Sequence, residues 1–278
     1  MKTPYLCSLY SGSRGNAMLI RAGGAAILID AGRSARALCR ALTAVGSSID
    51  EIDAIFLTHE HTDHTGALEV LLRQHPIPVH ITEPSAPRLM ASPSVAACAV
   101  LHPPLYTATI GDLSIQSFAI SHDSACCVGF RLRWDGGEIG YATDVGYVSD
   151  SVRAGLMGCG TVVLECNHDP DMLLTGRYPP DLKARIASRR GHLSSPDCAA
   201  FAAELAEAGM HHLMLAHLSE ENNTPDLAEA ELSSALGTQL AQNGGHICLA
   251  IASPSEPTLL CGGEEYPCTE RNFDHAVL

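Results

Sequence analysis

The stretch His59-Glu60-His61-Thr62-Asp63-His64 constrains this chain more than any other feature, because it crowds His59, His61, Asp63 and His64 into six positions. It follows a short apolar strand signal at Ala54 to Leu57 and precedes Ala67, Leu68, Leu71 and Leu72, whose spacing predicts a helix. The cluster therefore falls on a strand-to-helix loop, where side chains can turn toward one point. Random placement of the histidines and aspartates would produce such a pattern with a probability of about 0.002, so a polar loop assembled by chance is a poor account of it. Imidazole and carboxylate are the ligand types of zinc, iron and manganese, and the loop reads as part of a metal site.

Around this loop, strand and helix signals are interleaved. Tyr5 to Leu9, Ala17 to Arg21 and Ala25 to Asp30 alternate with glycine turns and predict an antiparallel hairpin series. Arg33 to Val45 predicts a helix that ends at Gly46. Further strands are expected at Val79 to Thr82, Leu113 to Ile120, Cys127 to Trp134, Glu138 to Thr143, Thr161 to Glu165 and Met214 to Ala216. Helices are expected to start at Ser195-Pro196-Asp197, with Ser195 capping, and at Thr224-Pro225-Asp226. The mixed order and the lack of a linker predict one α/β domain over residues 1–265, followed by a loose tail at 266–278.

Three more metal-binding side chains stand at predicted strand ends: His122, Asp144 and His217. The first four alone could close a structural zinc site. Seven are too many for one tetrahedral ion and suit two ions that share a carboxylate and keep open positions. This pattern resembles the metallo-β-lactamase superfamily over roughly residues 5 to 255. Within it, Ser11-Gly12-Ser13-Arg14-Gly15-Asn16, Leu164 to Asp169, Gly191-His192-Leu193-Ser194 and His217 to Asn222 resemble the YycJ/WalJ-type proteins, which are predicted nucleic-acid phosphodiesterases or exonucleases. The resemblance implies a four-layer αβ/βα sandwich with the site at one edge. It also implies that His59, His61 and His122 hold one divalent ion (Zn, Mn or Fe), that Asp63, His64 and His217 hold the second, and that Asp144 bridges them.

Counting two divalent ions, Asp63, Asp144 and a bridging hydroxide leaves the site at about +1, which favours an anionic substrate. Paired metals acidify their shared water toward a pKa of roughly 7 and clamp the oxygens of an in-line displacement, so hydrolysis by metal-bridged hydroxide is expected. In the related tRNA 3′-processing nucleases a His-Ser pair precedes a similar helix. His192-Leu193-Ser194 looks comparable, which makes His192 the candidate proton donor to the leaving oxygen. Asp63, beyond its ligand role, or Glu165 would orient it. Glu165, Asn167 and His168 cluster at a strand end and are candidates for hydrogen bonds to metal-bound imidazoles. Ser13 and Asn16, in the glycine-rich turn, are candidate phosphate contacts.

Net charge decides what the partner can be. The chain carries −14, which excludes coating nucleic acid by bulk electrostatics and requires any basic surface to be local. Residues 177–190 supply one: Arg177, Lys183, Arg185, Arg189 and Arg190 face a lone Asp181, and the segment runs directly into His192. Arg189 and Arg190 are the expected phosphate contacts. The reading is a dinuclear hydrolase that cleaves phosphodiesters in nucleic acid, DNA before RNA, as an exonuclease. The alternatives are a thioesterase or cyclic phosphodiester hydrolase of the same fold, and a noncatalytic metal-binding protein. The N-terminus lacks an apolar signal core and no stretch reaches the length of a membrane span, so a cytoplasmic protein is expected. The 11 cysteines, never spaced CxxC, argue against a disulfide scaffold or zinc finger. Histidines such as His75, His80 and His102 have no partner pattern and are expected to pack or face solvent.

Overall fold

Three strands open the chain, Tyr5–Tyr10 (β1), Ala17–Ala22 (β2) and Ala25–Ile29 (β3), paired antiparallel as the glycine turns predict. The computed structural model describes residues 4–243 and 247–261, so the expected tail and the last few residues of the expected domain lie outside the described residues. Ala35–Ala44 (α1) follows, capped by the Ser34 side chain, which accepts from the Ala37 N–H, and stopped by Gly46 at φ 69°. Ala54–Phe56 (β4), Thr62–Thr65 (α2), Leu68–Gln74 (α3), Val79–Thr82 (β5), Ala86–Leu89 (α4), Pro93–Cys98 (α5) and Ala99–His102 (β6) complete the first half. Here β3, β4, β5 and β6 run parallel.

The second half repeats the plan. Thr107–Ile110 (β7), Leu113–Ile120 (β8), Cys127–Trp134 (β9) and Gly137–Ala142 (β10) form an antiparallel run. Asp150–Leu156 (α6), Thr161–Glu165 (β11), Pro170–Thr175 (α7), Pro180–Ile186 (α8), Ser195–Glu207 (α9), His212–Ala216 (β12), Pro225–Asn243 (α10) and Cys248–Ile251 (β13) follow. In this half β10 to β13 run parallel. Thr258–Cys261 (β14) then returns to pair antiparallel with β1, giving sheet orders β14-β1-β2-β3-β4-β5-β6 and β13-β12-β11-β10-β9-β8-β7.

Strict period-two alternation stacks the layers. In β11, Val163 faces the other sheet while Val162 and Leu164 face α9 and α10; in β4, Phe56 faces inward while Ile55 faces α1 and α3. Both faces of these strands are buried, which is why they read as continuous apolar runs. One core lies between the sheets, around Ile20, Phe56, Phe130 and Met214, and one lies under each helical layer. This is the four-layer αβ/βα sandwich expected from the resemblance.

Several elements depart from the sequence expectation. The cap of α9 is Ser194, which accepts from the Asp197 N–H, and not Ser195. Ser195 is instead buried, its hydroxyl accepting from Asn223 Nδ2 at 3.0 Å, and a side chain held by the core cannot also cap. The four-residue strands β6, β7, β13 and β14, and the short helices α4 to α8, were not anticipated, because four to seven residues carry too little periodicity to stand out. Both sheets change from antiparallel to parallel neighbours, at β3/β4 and at β10/β11. Ligand sites form beyond the carboxyl ends of parallel strands where the strand order changes, and the cluster lies there.

Candidate metal centre

Each candidate ligand leaves the carboxyl end of a strand. His59 to His64 follow β4, His122 follows β8, Asp144 follows β10 and His217 follows β12. Asp63 and His64 sit in the first turn of α2 and not in open loop, which fixes their direction more tightly than expected. The backbone is bent to serve the site. Asp144 (φ 59°) and His217 (φ 57°), together with Asp30 (φ 62°), adopt the left-handed region that non-glycine residues rarely enter. Each such conformation costs on the order of 1–3 kcal/mol and persists only where the surroundings enforce it, as at functional sites.

The structure brings all seven together in two overlapping groups. Ligand atoms of His59, His61 and His122 lie within 4.8 Å of one another, as do those of Asp63, His64 and His217. Asp144 stands between them: one carboxylate oxygen is 3.7 Å from the Nε2 of both His122 and His217, and the other is 3.3 Å from His64 Nε2.

Partners on the far ring nitrogens decide which atoms point inward. His64 Nδ1 donates to buried Asp30 at 2.8 Å, His217 Nδ1 donates to Glu165 at 2.8 Å, and His122 Nδ1 donates to the Gly191 carbonyl at 3.2 Å. His59 Nδ1 meets the Thr58 hydroxyl at 3.0 Å. Their Nε2 atoms are thereby left as lone-pair donors facing the centre. Buried His59 Nε2, His217 Nε2 and Asp144 Oδ2 have no hydrogen-bond partner among the described residues, as metal-binding atoms would not. Electrostatics agree. Burial acts to lower the pKa of His64 and His217, yet nearby Asp30, Asp144, Asp63 and Glu165 hold His64 well above its usual range and raise His217 to about 10. The cluster attracts positive charge strongly, and an oxygen-and-imidazole donor set of this kind fits divalent cations.

Glu165 links this centre to the candidate acid. Its Oε1 accepts from both His217 Nδ1 and His192 Nδ1 (2.9 Å), and its Oε2 accepts from the Val145 and Leu193 amides. Burial pushes the Glu165 carboxyl up, but the charges and hydrogen bonds of His192 and His217 outweigh it and bring the pKa to about 2. His192 is therefore oriented by Glu165 and not by Asp63, whose carboxylate lies beside His64 and His217. Asn167 donates to the His217 carbonyl at 2.8 Å, whereas His168 contributes its backbone to a bridge with Ser194. Asp30 was missed at the sequence level although it directly follows β3, the parallel neighbour of the strand that leads into the cluster. It and Glu165 place two buried carboxyl groups beside His64 and His217.

The expected phosphate contacts divide. Ser13 lines a cavity of about 230 Å³ beside His122, His192 and His217. Asn16 is buried within its turn, accepting from the Gly12 amide at 2.8 Å and lying 3.1 Å from His64 Nε2, so it supports the ligand loop. Arg189 stacks on Tyr147 at 3.6 Å and Arg190 Nε donates to the His122 carbonyl at 3.3 Å; both brace the loops around the site. The cation lining the cavity is Arg185, paired with Asp123. Of the histidines expected only to pack or face solvent, His80 and His102 stack between Phe56 and Tyr106, and His75 pairs with Asp50.

Comparison with known proteins finds relatives of the chain in sequence and in fold. The model of the β-lactamase superfamily domain matches residues 25–218. An exodeoxyribonuclease YycJ of Bacillus anthracis is 34% identical over 82% of this chain and 87% of its own length. An exodeoxyribonuclease WalJ of Streptococcus pneumoniae strain D39 is 32% identical over 84% of this chain and 87% of its own. The metallo-β-lactamase fold protein YhfI of Bacillus subtilis superposes with a TM-score of 0.68 over 92% of this chain and 99% of its own, at 18% identity, a likeness of fold.

Proposed function

Since the chain belongs to the β-lactamase superfamily domain family, we propose that it is a metal-dependent phosphodiesterase acting on DNA as an exonuclease. His59, His61 and His122 would hold one divalent cation and Asp63, His64 and His217 the other, with Asp144 shared. When bound, such a pair supplies Lewis acidity to phosphoryl oxygens and a water acidified toward neutral pH. Manganese, zinc and iron all suit the donors, and metal supply in a cytoplasmic setting would choose among them.

The chain's own groups do the rest. Asp30 and Glu165 fix the tautomers of His64 and His217, so that Nε2 carries the lone pair. His192 delivers a proton to the departing oxygen: its Nδ1–H is held by Glu165, which fixes the direction of the ring, and the ring lines the cavity. Its ring centroid lies 5.2 Å from those of both His122 and His217, within reach of a phosphate placed at the centre. The observation that carries the reading is this Glu165-bridged pair of imidazoles, one belonging to the ligand set and one free to work on the leaving group. Ser13 and Arg185 line the same cavity and would meet the phosphate.

The modest cavity keeps a small-molecule hydrolase, a thioesterase or cyclic phosphodiester hydrolase, as the second reading. Incubation of the protein with Mn²⁺ and end-labelled DNA, bis-p-nitrophenyl phosphate, a cyclic nucleotide and a thioester separates them. Release of mononucleotides from DNA supports the proposal; turnover of the thioester or cyclic ester alone rejects it. A His192→Ala protein should retain its metals and lose rate mainly on DNA, whose leaving alkoxide needs a proton, and much less on the nitrophenyl ester.

A further inference from the structure

The cavity beside the metal centre has a mixed lining. His122, Asp123, His192 and His217 give it a polar part of its lining, and Tyr178, Leu182 and Ile186, from α8 and the residues just before it, an apolar one. These three recur every fourth residue, so the half-buried Leu182 and Ile186 lie on one side of α8, and Tyr178 lies just ahead of its first turn. None of the side chains of α8 is buried in a core. Its apolar positions are therefore left unexplained by packing, although they line the space next to the site.

The helix is nevertheless held in place. Arg185 pairs with Asp123 in the cavity lining, Lys183 Nζ donates to the Leu174 carbonyl at 2.7 Å, and the His192 amide donates to the Ile186 carbonyl at 2.9 Å. The last bond ties the apolar part directly to the candidate acid. It requires close approach of the two segments, since a Cβ on Gly191 would stand 2.1 Å from the Ile186 oxygen.

We propose that Tyr178, Leu182 and Ile186 form the surface on which the base of a single terminal nucleotide lies while its phosphate is held at the metal centre. This rests on the phosphodiesterase reading and names its substrate more closely. An aromatic ring flanked by branched aliphatic chains accepts the flat face of any base, without reading its edge. The cavity, at about 230 Å³, is below the roughly 300–1,000 Å³ of pockets that enclose drug-sized ligands, so it can take no more than one nucleotide and never a duplex. The terminal base must then leave its neighbour, and contact with Tyr178 replaces the stacking it loses. Removal of one nucleotide at a time follows from this shape.

Calorimetric titration of the metal-loaded protein with deoxyadenosine 5′-monophosphate and with 2-deoxyribose 5-phosphate tests the assignment, because the second keeps the sugar and phosphate and has a hydroxyl in place of the base. The nucleotide should bind at least tenfold more tightly. Tyr178→Ala should weaken it by about 5- to 150-fold, the range found for loss of one base–aromatic stack, leave the sugar phosphate within twofold, and be rescued by Tyr178→Phe. Leu182→Asn should produce a smaller loss with the same selectivity, which guards against misfolding of the tyrosine variant. Equal affinity of the two ligands, or equal losses for both in the variants, overturns the proposal. Parallel cleavage of end-labelled DNA keeps the two readings apart: DNA hydrolysed without preference for the nucleotide removes the base surface alone, whereas absence of DNA and nitrophenyl ester hydrolysis removes the phosphodiesterase reading.

Discussion

Replacing Glu165 by Gln tests how the centre is held together. The carboxylate is fully buried and accepts four hydrogen bonds, at 2.8 and 2.9 Å from His217 and His192 on one oxygen and at 2.7 and 3.0 Å from the Val145 and Leu193 amides on the other. An amide has one oxygen, so whichever way it turns, its NH₂ group confronts two N–H donors. Two buried donors are left unsatisfied at about 1–3 kcal/mol each, and the charge that supports His217 is gone. Changes in groups that orient a metal-bound histidine typically cost 10–100-fold in metal affinity. The loss should be confined to the site of Asp63, His64 and His217; the site of His59, His61 and His122 is oriented through Thr58 and Gly191 and should keep its affinity. Protons add a second signature. Burial lowers the His217 pKa, but Asp144, Asp63 and Glu165 raise it to about 10, so below that pH a proton competes with the cation and loading strengthens as pH rises. Without Glu165 the His217 proton is held less tightly and that dependence flattens. Competition against a chromophoric chelator at several pH values, with thermal unfolding as the control for folding, resolves the two sites. Equal weakening at both, or none at either, would refute the assignment of Glu165 as the support of one site.

Asp144→Asn should lower the metal content measured by elemental analysis from two toward one, with little loss of stability. Asparagine tolerates the positive φ of 59° but cannot supply a shared anionic oxygen. Gly32→Ala should destabilise the protein by about 1–3 kcal/mol in urea titration and weaken metal binding, since the new Cβ would lie 1.9 Å from the Asp63 carbonyl oxygen and 2.6 Å from the Asn16 amide. His80→Phe probes the histidine stack between the sheets. Burial, helped by His102, lowers the His80 pKa to about 4, so between roughly pH 6.5 and 4 the unfolded chain takes up a proton that the folded one refuses. The neutral ring thus costs nothing above pH 6.5, and stability falls below it by at most about 1.4 kcal/mol per pH unit. The phenylalanine variant should lose that part of the acid sensitivity in urea titrations from pH 7 to 4.5; identical slopes would contradict it.

Much of this molecule was legible before any coordinates, and what was legible is local. Val163, Met214 and Phe56 sit in runs whose period matches a strand, and Ser34 and Gly46 bound α1 as a capping serine and a left-handed glycine should. Four candidate ligands within six residues declare themselves, and single histidines and aspartates at strand ends, His122, Asp144 and His217, are visible because parallel strands deliver their carboxyl ends to a site. Short elements such as α8 and β13 escaped, being too brief for a period to build up.

Residue chemistry along the chain therefore determined which groups can bind cations, and the alternation of apolar positions determined that they ride on a layered α/β framework. Tertiary structure alone decided how those groups are aimed. Asp30 orients His64 across 34 residues, Glu165 reaches His192 across 27 and His217 across 52, and Arg189 and Arg190 are turned to Tyr147 and His122 rather than to the open cavity. Hydrogen-bond direction, burial and charge at such sites depend on atoms far apart in the chain meeting within about 3 Å, and neither spacing nor periodicity encodes that meeting.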